Sequence, residues 1–484
     1  MVDHYLTAFK FRLMICFYIS TISTLVIKFP TSVMADQQLT KLMTRILRLL
    51  PIAVLILVGS RLEAKPAELV FTYWGSPFER QAVKKVIQQF NRQHANIRVR
   101  AQHIPNSNYA TKLLTMVAAG TAPDVAYIPD AMISKLASAG RLMDLSDYFQ
   151  HDSEASNRMP QIYYKLQDQI IGTSAAIETI ILYYNKQVFD QAGLAYPPAT
   201  AEEAWSWQEF VAICQKLTTD RHGYDATNPN FDAEHITTYG VAFPQAELFT
   251  LPFIYSNGGQ VASDDGQKLL LNQPEAVEAL RKMQDLIYRY HVAPTPSTLE
   301  SMPSSSFMLQ TGKVAMDITG HWQILDLSQM GFDWGMGVLP YFKQPITIIC
   351  GAPLGIFTSS KHPEEAFQLF KALGDTASND LFGNGLWMPL HVEDYTDPTR
   401  VSQWLNSKPG VYPAEARSVL VDYTINYTPR QIPMYWLRNY GQMLDEAITP
   451  ALSLMWAGEA NAQQAMDQAV KEGQKLLQGR LFKK

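Results

Sequence analysis

Between Ala67 and Gly140 the apolar pattern changes period five times, and that alternation constrains the fold more than any other feature of the chain. AELVFTYWG alternates as a strand, and PFERQAVKKVIQQFNRQH then repeats apolar residues at Phe78, Ala82, Val86 and Phe90 as a helix. IRVRAQHIP alternates again, NYATKLLTMVAAG is helical, DVAYIPD reads as a short buried strand and AMISKLASAG as a helix. Strand, helix, strand, helix, strand, helix predicts an α/β protein with a parallel sheet covered on both faces. Ligands of such sheets sit off the carboxyl ends of the strands. Those ends are Trp74-Gly75-Ser76, His103 to Asn106, and Pro129-Asp130, all polar or aromatic.

A second series follows. IETIILYYNKQVFDQAGL reads as strand then helix, and helices are predicted over AEEAWSWQEFVAICQKLT, NQPEAVEALRKMQDLIYRYH, HPEEAFQLFKALGD and NAQQAMDQAVKEGQKLLQ. No repeat, low-complexity tract or proline-rich linker separates the two series. Two α/β lobes are expected, with the chain passing between them more than once.

Residues 1–64 stand apart as a leader. From Met43 a basic stretch MTRILR, an apolar stretch LLPIAVLILVG and the ending SRLEA follow in the order of a secretory signal peptide, about 43–64. The apolar run is shorter than the ~18 to 20 residues of a spanning helix. No cysteine stands directly after it, so a lipid-anchored start is not indicated. Removing the leader leaves 33 Lys and Arg against 42 Asp and Glu. That excess of acid disfavours nucleic acid and anionic membrane surfaces as partners. Cys214 and Cys350 remain; Cys214 lies in the helical run FVAICQKL, and two buried free thiols are expected.

Motifs for chemistry are missing. The chain has no GxxxxGK[ST], no GxGxxG after a strand, no HExxH, CxxC or GxSxG, and its histidines lack metal-ligand spacing. Neither a cofactor nor a metal is expected. Paired carboxylates such as Glu202-Glu203 and Glu364-Glu365 stand at helix starts, where the helix dipole accounts for them. One stretch does raise a question: AMDITGHWQ ends an alternating run at Gly320 and then sets Trp322 between His321 and Gln323. Trp322 either caps a core or offers a flat platform.

Five segments in order carry a resemblance. They are YWG with its helix to FNRQH, YATKLLTMVAAGTAPDVAYIPD, LYYNKQVFDQAGL, TGKVAMDITGHW and FDWGMGVLP. Together they resemble the extracytoplasmic solute-binding proteins of ABC sugar importers, the family that includes maltose-binding protein and the multiple-sugar receptors. The likeness runs from about residue 68 to 480.

The resemblance implies a two-lobed, periplasmic-binding-protein-like fold of type II, each lobe a sheet flanked by helices, with a hinge and an interlobe cleft. Residues 65–178 plus 352–388 would form one lobe and 179–351 plus 389–484 the other. Crossings would fall near Ile177 to Ile180, Gly351 to Leu354 and Met388 to His391. It further implies a monomer in the periplasm that takes a carbohydrate, an oligosaccharide above all, without catalysis, and delivers it to the permease subunits of an ABC importer.

Carried onto this chain, the family's sugar-stacking tryptophan is Trp322, with His321 and Gln323 available for hydroxyls. Trp74 is a platform or a core residue. Asp130 suits two vicinal hydroxyls or a helix N-cap. Glu178, six residues before Tyr184, holds the offset of a binding glutamate in the maltose receptor, with Thr173 and Ser174 leading into it. Phe249, Trp387 and Gly351 complete the ligand-facing set, with Trp436 a weaker candidate; Trp387 either narrows the cleft or packs against it. Two other readings stand beside this one. A secreted carbohydrate-active enzyme would need two carboxylates about 5 to 10 Å apart. A receptor for a glycerol-phosphate-like polyol would need basic anchors, and the matched positions have none.

Overall fold

The computed structural model describes residues 65–375 and 380–482. The leader and its signal peptide therefore lie outside the described residues. Among the described residues twelve strands form two sheets. The first joins β1 (Ala67–Tyr73), β2 (Ile97–His103), β3 (Val125–Tyr127), β4 (Tyr163–Leu166) and β5 (Gln169–Ser174) with the late strand β12 (Pro353–Ile356), in the order β2-β1-β3-β12-β5-β4. The second joins β6 (Glu178–Asn185), β7 (Thr219–Asp220), β8 (Ile236–Ala242), β9 (Val314–Gly320) and β10 (Trp334–Gly337) in the order β10-β6-β9-β8-β7, and β11 (Ile349–Cys350) pairs with β6.

The strand and helix series read from the pattern accounts for β1, β2 and β3 of the first sheet. β12 runs antiparallel to both β3 and β5, and β4 antiparallel to β5, so the sheet is mixed and not the parallel one expected. β1 pairs in parallel with β2 and β3, and the intervening helices Pro77–Gln93 and Asn106–Ala118 cross between them. The helix Pro77–Gln93 begins where Ser76 accepts a hydrogen bond from the Glu79 N–H, and it buries Ala82, Val83, Val86, Ile87 and Phe90. One placement differs from the sequence reading. The third strand stops at Tyr127, and Asp130 is already the first residue of the helix Asp130–Ser138. Pro129 holds an extended backbone before it and so fixes the strand-to-helix turn.

The second sheet is more fully enclosed. Every residue of β6 and of β9 is buried, as expected of strands covered on both faces. Asp317 in β9 is therefore a buried carboxyl. It accepts from the Ser305 hydroxyl, which in turn accepts from Gln323 Nε2 at 2.9 Å. Burial pushes Asp317 up to about 7, with the Ser305 hydroxyl opposing.

The chain leaves the first sheet at Ser174 and enters the second at Glu178 through Ala175, Ala176 and Ile177. It returns from Cys350 to Pro353 through Gly351 and Ala352. These connections pack tightly against each other. A Cβ on Gly351 would stand 2.0 Å from Ser174 Oγ and 2.3 Å from the Ala176 carbonyl oxygen, so only glycine fits. Ile177 also pairs with Met388, where the chain leaves the helix Pro363–Gly374 and its following loop. Cys214 and Cys350 are both buried free thiols, as expected. No helix among the described residues is long and apolar enough to cross a membrane.

Candidate ligand-binding cleft

Each sheet ends in a tryptophan on the seam between them. Trp74 follows β1 and is half-buried, its ring edge-on to Tyr109 (4.9 Å) and Tyr127 (5.0 Å). Trp322 follows β9, is also half-buried, and meets Phe249 edge-on at 6.3 Å. The indole of Trp322 folds back over Gly320, where a Cβ would stand 2.0 Å from the ring. Gly320 is thus the reason the ring can lie flat along the strand end. Trp322 therefore rests on a core without being enclosed by it, and so does Trp74.

The two ends touch. Ser76 Oγ donates to Asp326 Oδ1 at 2.8 Å, joining the turn after β1 to the short helix Gln323–Leu327 after β9. Two carboxyl groups, Glu79 and Asp326, stand at this contact, and three more lie on other elements: Asp130, half-buried, and Glu178 and Glu247, buried. Glu79 folds back against Gly75. Burial raises it well above the ordinary range, the charges of Glu178 and Asp326 add to this, and the Ser76 backbone opposes. Asp326 is raised by burial against the pull of the Ser76 hydroxyl. Glu178, at the start of β6, is only 8% exposed, and burial plus the charge of Asp130 push it up to about 8. Asp130 accepts from Tyr164 Oη at 2.6 Å; burial outweighs that bond and takes it to about 7. Glu247 accepts from Tyr440 Oη and is likewise raised by burial to about 7.

The structure brings Trp74, Trp322, Phe249, Asp130 and Glu178 to this seam and sends the other sequence candidates elsewhere. His321 is fully buried, stacks beside Tyr412 at 6.4 Å, and has neither ring nitrogen in hydrogen-bond geometry. Burial lowers it to about 3, with the Leu386 backbone opposing, so the ring is neutral. Gln323 points into its own lobe toward Ser305. Neither flanks a ligand. Thr173 is fully buried and accepts from Arg158 Nη1, which occupies its hydroxyl. Ser174 is equally buried, beneath Gly351, and Gly351 serves the close approach of the connecting segments. Trp387 is 1% exposed and packs between Tyr127 (6.0 Å) and Phe382 (5.8 Å), so it underlies the cleft and does not narrow it.

Trp436 stands beneath the Arg480 guanidinium, 4.6 Å from its ring centre, and lines a separate cavity of about 510 Å³ with Tyr255 and Arg430. A hollow of about 1160 Å³ lies elsewhere again, lined by Asp152, Asp394, Arg400, Trp404 and Lys408 among others. It includes none of the seam residues.

Sequence reasoning named Ser76 only as part of the first strand end and singled out none of Glu79, Tyr127, Glu247 and Asp326. Ser76 caps the helix through the Glu79 N–H, so the local role of these two residues announces no second one. Asp326 had a findable signal: it lies four residues after Trp322, one helical turn away.

A family model described as bacterial extracellular solute-binding protein matches residues 76–380. Among curated relatives, the maltotriose-binding protein of Pyrococcus abyssi is 23% identical over 315 residues, which cover 63% of this chain and 61% of that protein. The chain thus spans less than two thirds of that relative's length. The galactooligosaccharide-binding protein of Bacillus subtilis is 24% identical over 423 residues, 85% of this chain and 90% of that one. Among solved structures, an ABC substrate-binding protein from Listeria monocytogenes in complex with cycloalternan superposes with a TM-score of 0.72 at 23% identity. That match covers 85% of this chain and 99% of the other.

Proposed function

Since the chain belongs to the bacterial extracellular solute-binding proteins, we propose that it captures a carbohydrate, an oligosaccharide, at the seam between its sheets and delivers it to the permease of an ABC importer. One observation carries the reading: Trp74 and Trp322, both half-buried, end strands of opposite sheets on either side of the Ser76–Asp326 contact. A sugar ring presents C–H faces and hydroxyl edges. Indoles from both lobes suit the faces, and the carboxylates between them suit the hydroxyls. The oligosaccharide-binding names of the two relatives point the same way.

Residues 65–178 with 352–388, and 179–351 with 389–484, act as the two lobes. The segments at Ala175–Ile177, Gly351–Ala352 and Met388 serve as the hinge, and ligand favours the closed form because only that form offers contacts from both lobes. The protein acts outside the cytoplasmic membrane, as a periplasmic monomer and not as an enzyme. A glycerol-phosphate ligand fits poorly, since among the described residues no lysine or arginine is among the charges acting on the seam carboxyl groups and its phosphate would lack a basic anchor.

The test is a thermal-shift screen of the protein lacking its leader against mono- and oligosaccharides, followed by chromatography of the incubated sugar. A ligand at 100 times its dissociation constant adds about 2.7 kcal/mol. Stabilisation with the sugar recovered intact is expected. Hydrolysis of the sugar, or no stabilisation by any carbohydrate, would overturn the reading.

A further inference from the structure

We propose that Tyr164 and Tyr435 are positioning residues that set Asp130 for a sugar hydroxyl only while the two lobes are together. The inference rests on the carbohydrate reading above and adds the side chains through which closure reaches a carboxylate of the first lobe. Asp130 heads the helix Asp130–Ser138, three residues beyond Tyr127, whose ring lies 5.0 Å from that of Trp74. Its Oδ1 accepts from Tyr164 Oη at 2.6 Å. A half-buried carboxylate turns about its own side chain unless a neighbour fixes it, and a charge-assisted bond this short does so. Burial pushes Asp130 up to about 7 and the Tyr164 bond opposes, so the same hydroxyl favours the charged form, the better acceptor.

Tyr164 is held in turn from the other lobe. It lies on β4, the edge strand of the first sheet. Its ring stacks on Tyr435, with 4.4 Å between centres and 24° between planes. Two hydrogen bonds flank the stack along the same edge. Gln431 Nε2 donates to the Gln161 carbonyl at 3.0 Å, and the Gln167 N–H donates to the Leu481 carbonyl at 2.9 Å. Gln161, Tyr164 and Gln167 are thus met at every third position by one body of chain. That body belongs with the second lobe. The Leu481 N–H donates to the Trp436 carbonyl at 2.8 Å. The helix Pro274–Tyr288 holds the chain between them, through Gln284 Nε2 to the Met455 carbonyl and Tyr288 Oη to the Trp456 carbonyl, both at 2.6 Å.

A bare sheet edge carries unpaired backbone groups and is normally covered. Here the cover comes from the opposite lobe, so parting the lobes uncovers β4. Among these three contacts, the stack is the one that runs on to a candidate ligand-facing side chain. Tyr164 is 1% exposed and Tyr435 fully buried, and Tyr435 Oη has no hydrogen-bond partner, so Tyr435 acts through its ring. Withdrawing that ring leaves Tyr164 unsupported on one face, and its hydroxyl loses the fixed direction that aims Asp130.

Calorimetry on the protein lacking its leader tests this with maltotriose, cellotriose and galactotriose, and, should none bind, with the most stabilising sugar of the thermal-shift screen. Tyr164→Phe keeps the stack, loses the bond to Asp130 and should weaken binding about tenfold. Tyr435→Leu should weaken it by a similar factor, and Tyr435→Phe, which restores the ring, should recover the parent's affinity. In an Asp130→Ala background, itself weakened, Tyr164→Phe and Tyr435→Leu should each change affinity by less than about twofold, because their effect runs through that carboxylate. Melting curves check each fold, and the Tyr164→Phe cycle decides alone if Tyr435→Leu does not fold. Parent-like affinity in Tyr164→Phe, equal loss in both Tyr435 variants, or undiminished losses in the Asp130→Ala background would overturn this inference and leave the carbohydrate reading standing. Failure of every carbohydrate with the parent overturns that reading and this inference with it.

Discussion

The two strand ends that meet at the seam share a local plan, yet they present different residues to it. At the first, Trp74 follows β1 and the chain enters a long helix, with Ser76 and Glu79 both at the seam. At the second, β9 ends in Gly320 and Trp322 already has helical backbone, φ −51° and ψ −20°, ahead of a helix only five residues long. Its sequence neighbours His321 and Gln323 turn into the lobe, while Asp326, four residues on, meets Ser76. Residues three and four apart share a helix face, and adjacent ones do not. Which side chains accompany a strand-end tryptophan thus depends on whether the backbone beyond it is extended or helical.

Four experiments sharpen or break that comparison. The largest effect is expected beneath the first strand end. Trp387→Ala should remove the support of Tyr127 and cost about 3 to 5 kcal/mol of stability in denaturant unfolding. Near-native stability with lost sugar affinity would instead place Trp387 in the cleft.

Glu178 lies between the two ends and tests their electrostatics. Its carboxyl is raised to about 8 when folded, from an ordinary value near 4.5. The folded protein therefore holds a proton that the unfolded chain has released, and stability falls as pH rises through that window. Glu178→Gln removes this dependence. Its melting temperature should pull ahead of the parent's between pH 5 and 9, by an amount equivalent to a few kcal/mol. A constant gap would show that the carboxyl is not raised.

Trp74→Ala and Trp322→Ala compare the ends directly. Each should weaken sugar binding by about tenfold to a hundredfold, by analogy with aromatic stacking on other ligands, with little change in melting temperature. Loss in one variant only would leave a one-sided platform. The smallest effects separate the neighbours. Ser76→Ala should weaken ligand affinity severalfold by removing the interlobe bond, and Gln323→Ala should cost about 1 kcal/mol of stability with affinity unchanged. Reversal of that pair would restore Gln323 to the site.

The sequence by itself determined the alternation of strand and helix in the first lobe, the helices of the second and the two tryptophans at strand ends. Each is a local property, carried by apolar period, turn residues and caps within a few positions. Asp130 and Glu178 were legible too, one from its place at a strand-to-helix turn and the other by resemblance. What stayed hidden was set by contacts across long stretches of chain. Ser76 and Asp326 are separated by 250 positions, and nothing near either announces the other. Thr173, His321 and Trp387 carry the right chemistry for a sugar site, but the packing of Arg158, Tyr412 and Tyr127 against them decided their burial. A side chain's type is written locally, whereas its exposure is fixed only when the remaining chain closes over it. For that reason the tertiary structure alone chose which polar and aromatic residues face the seam.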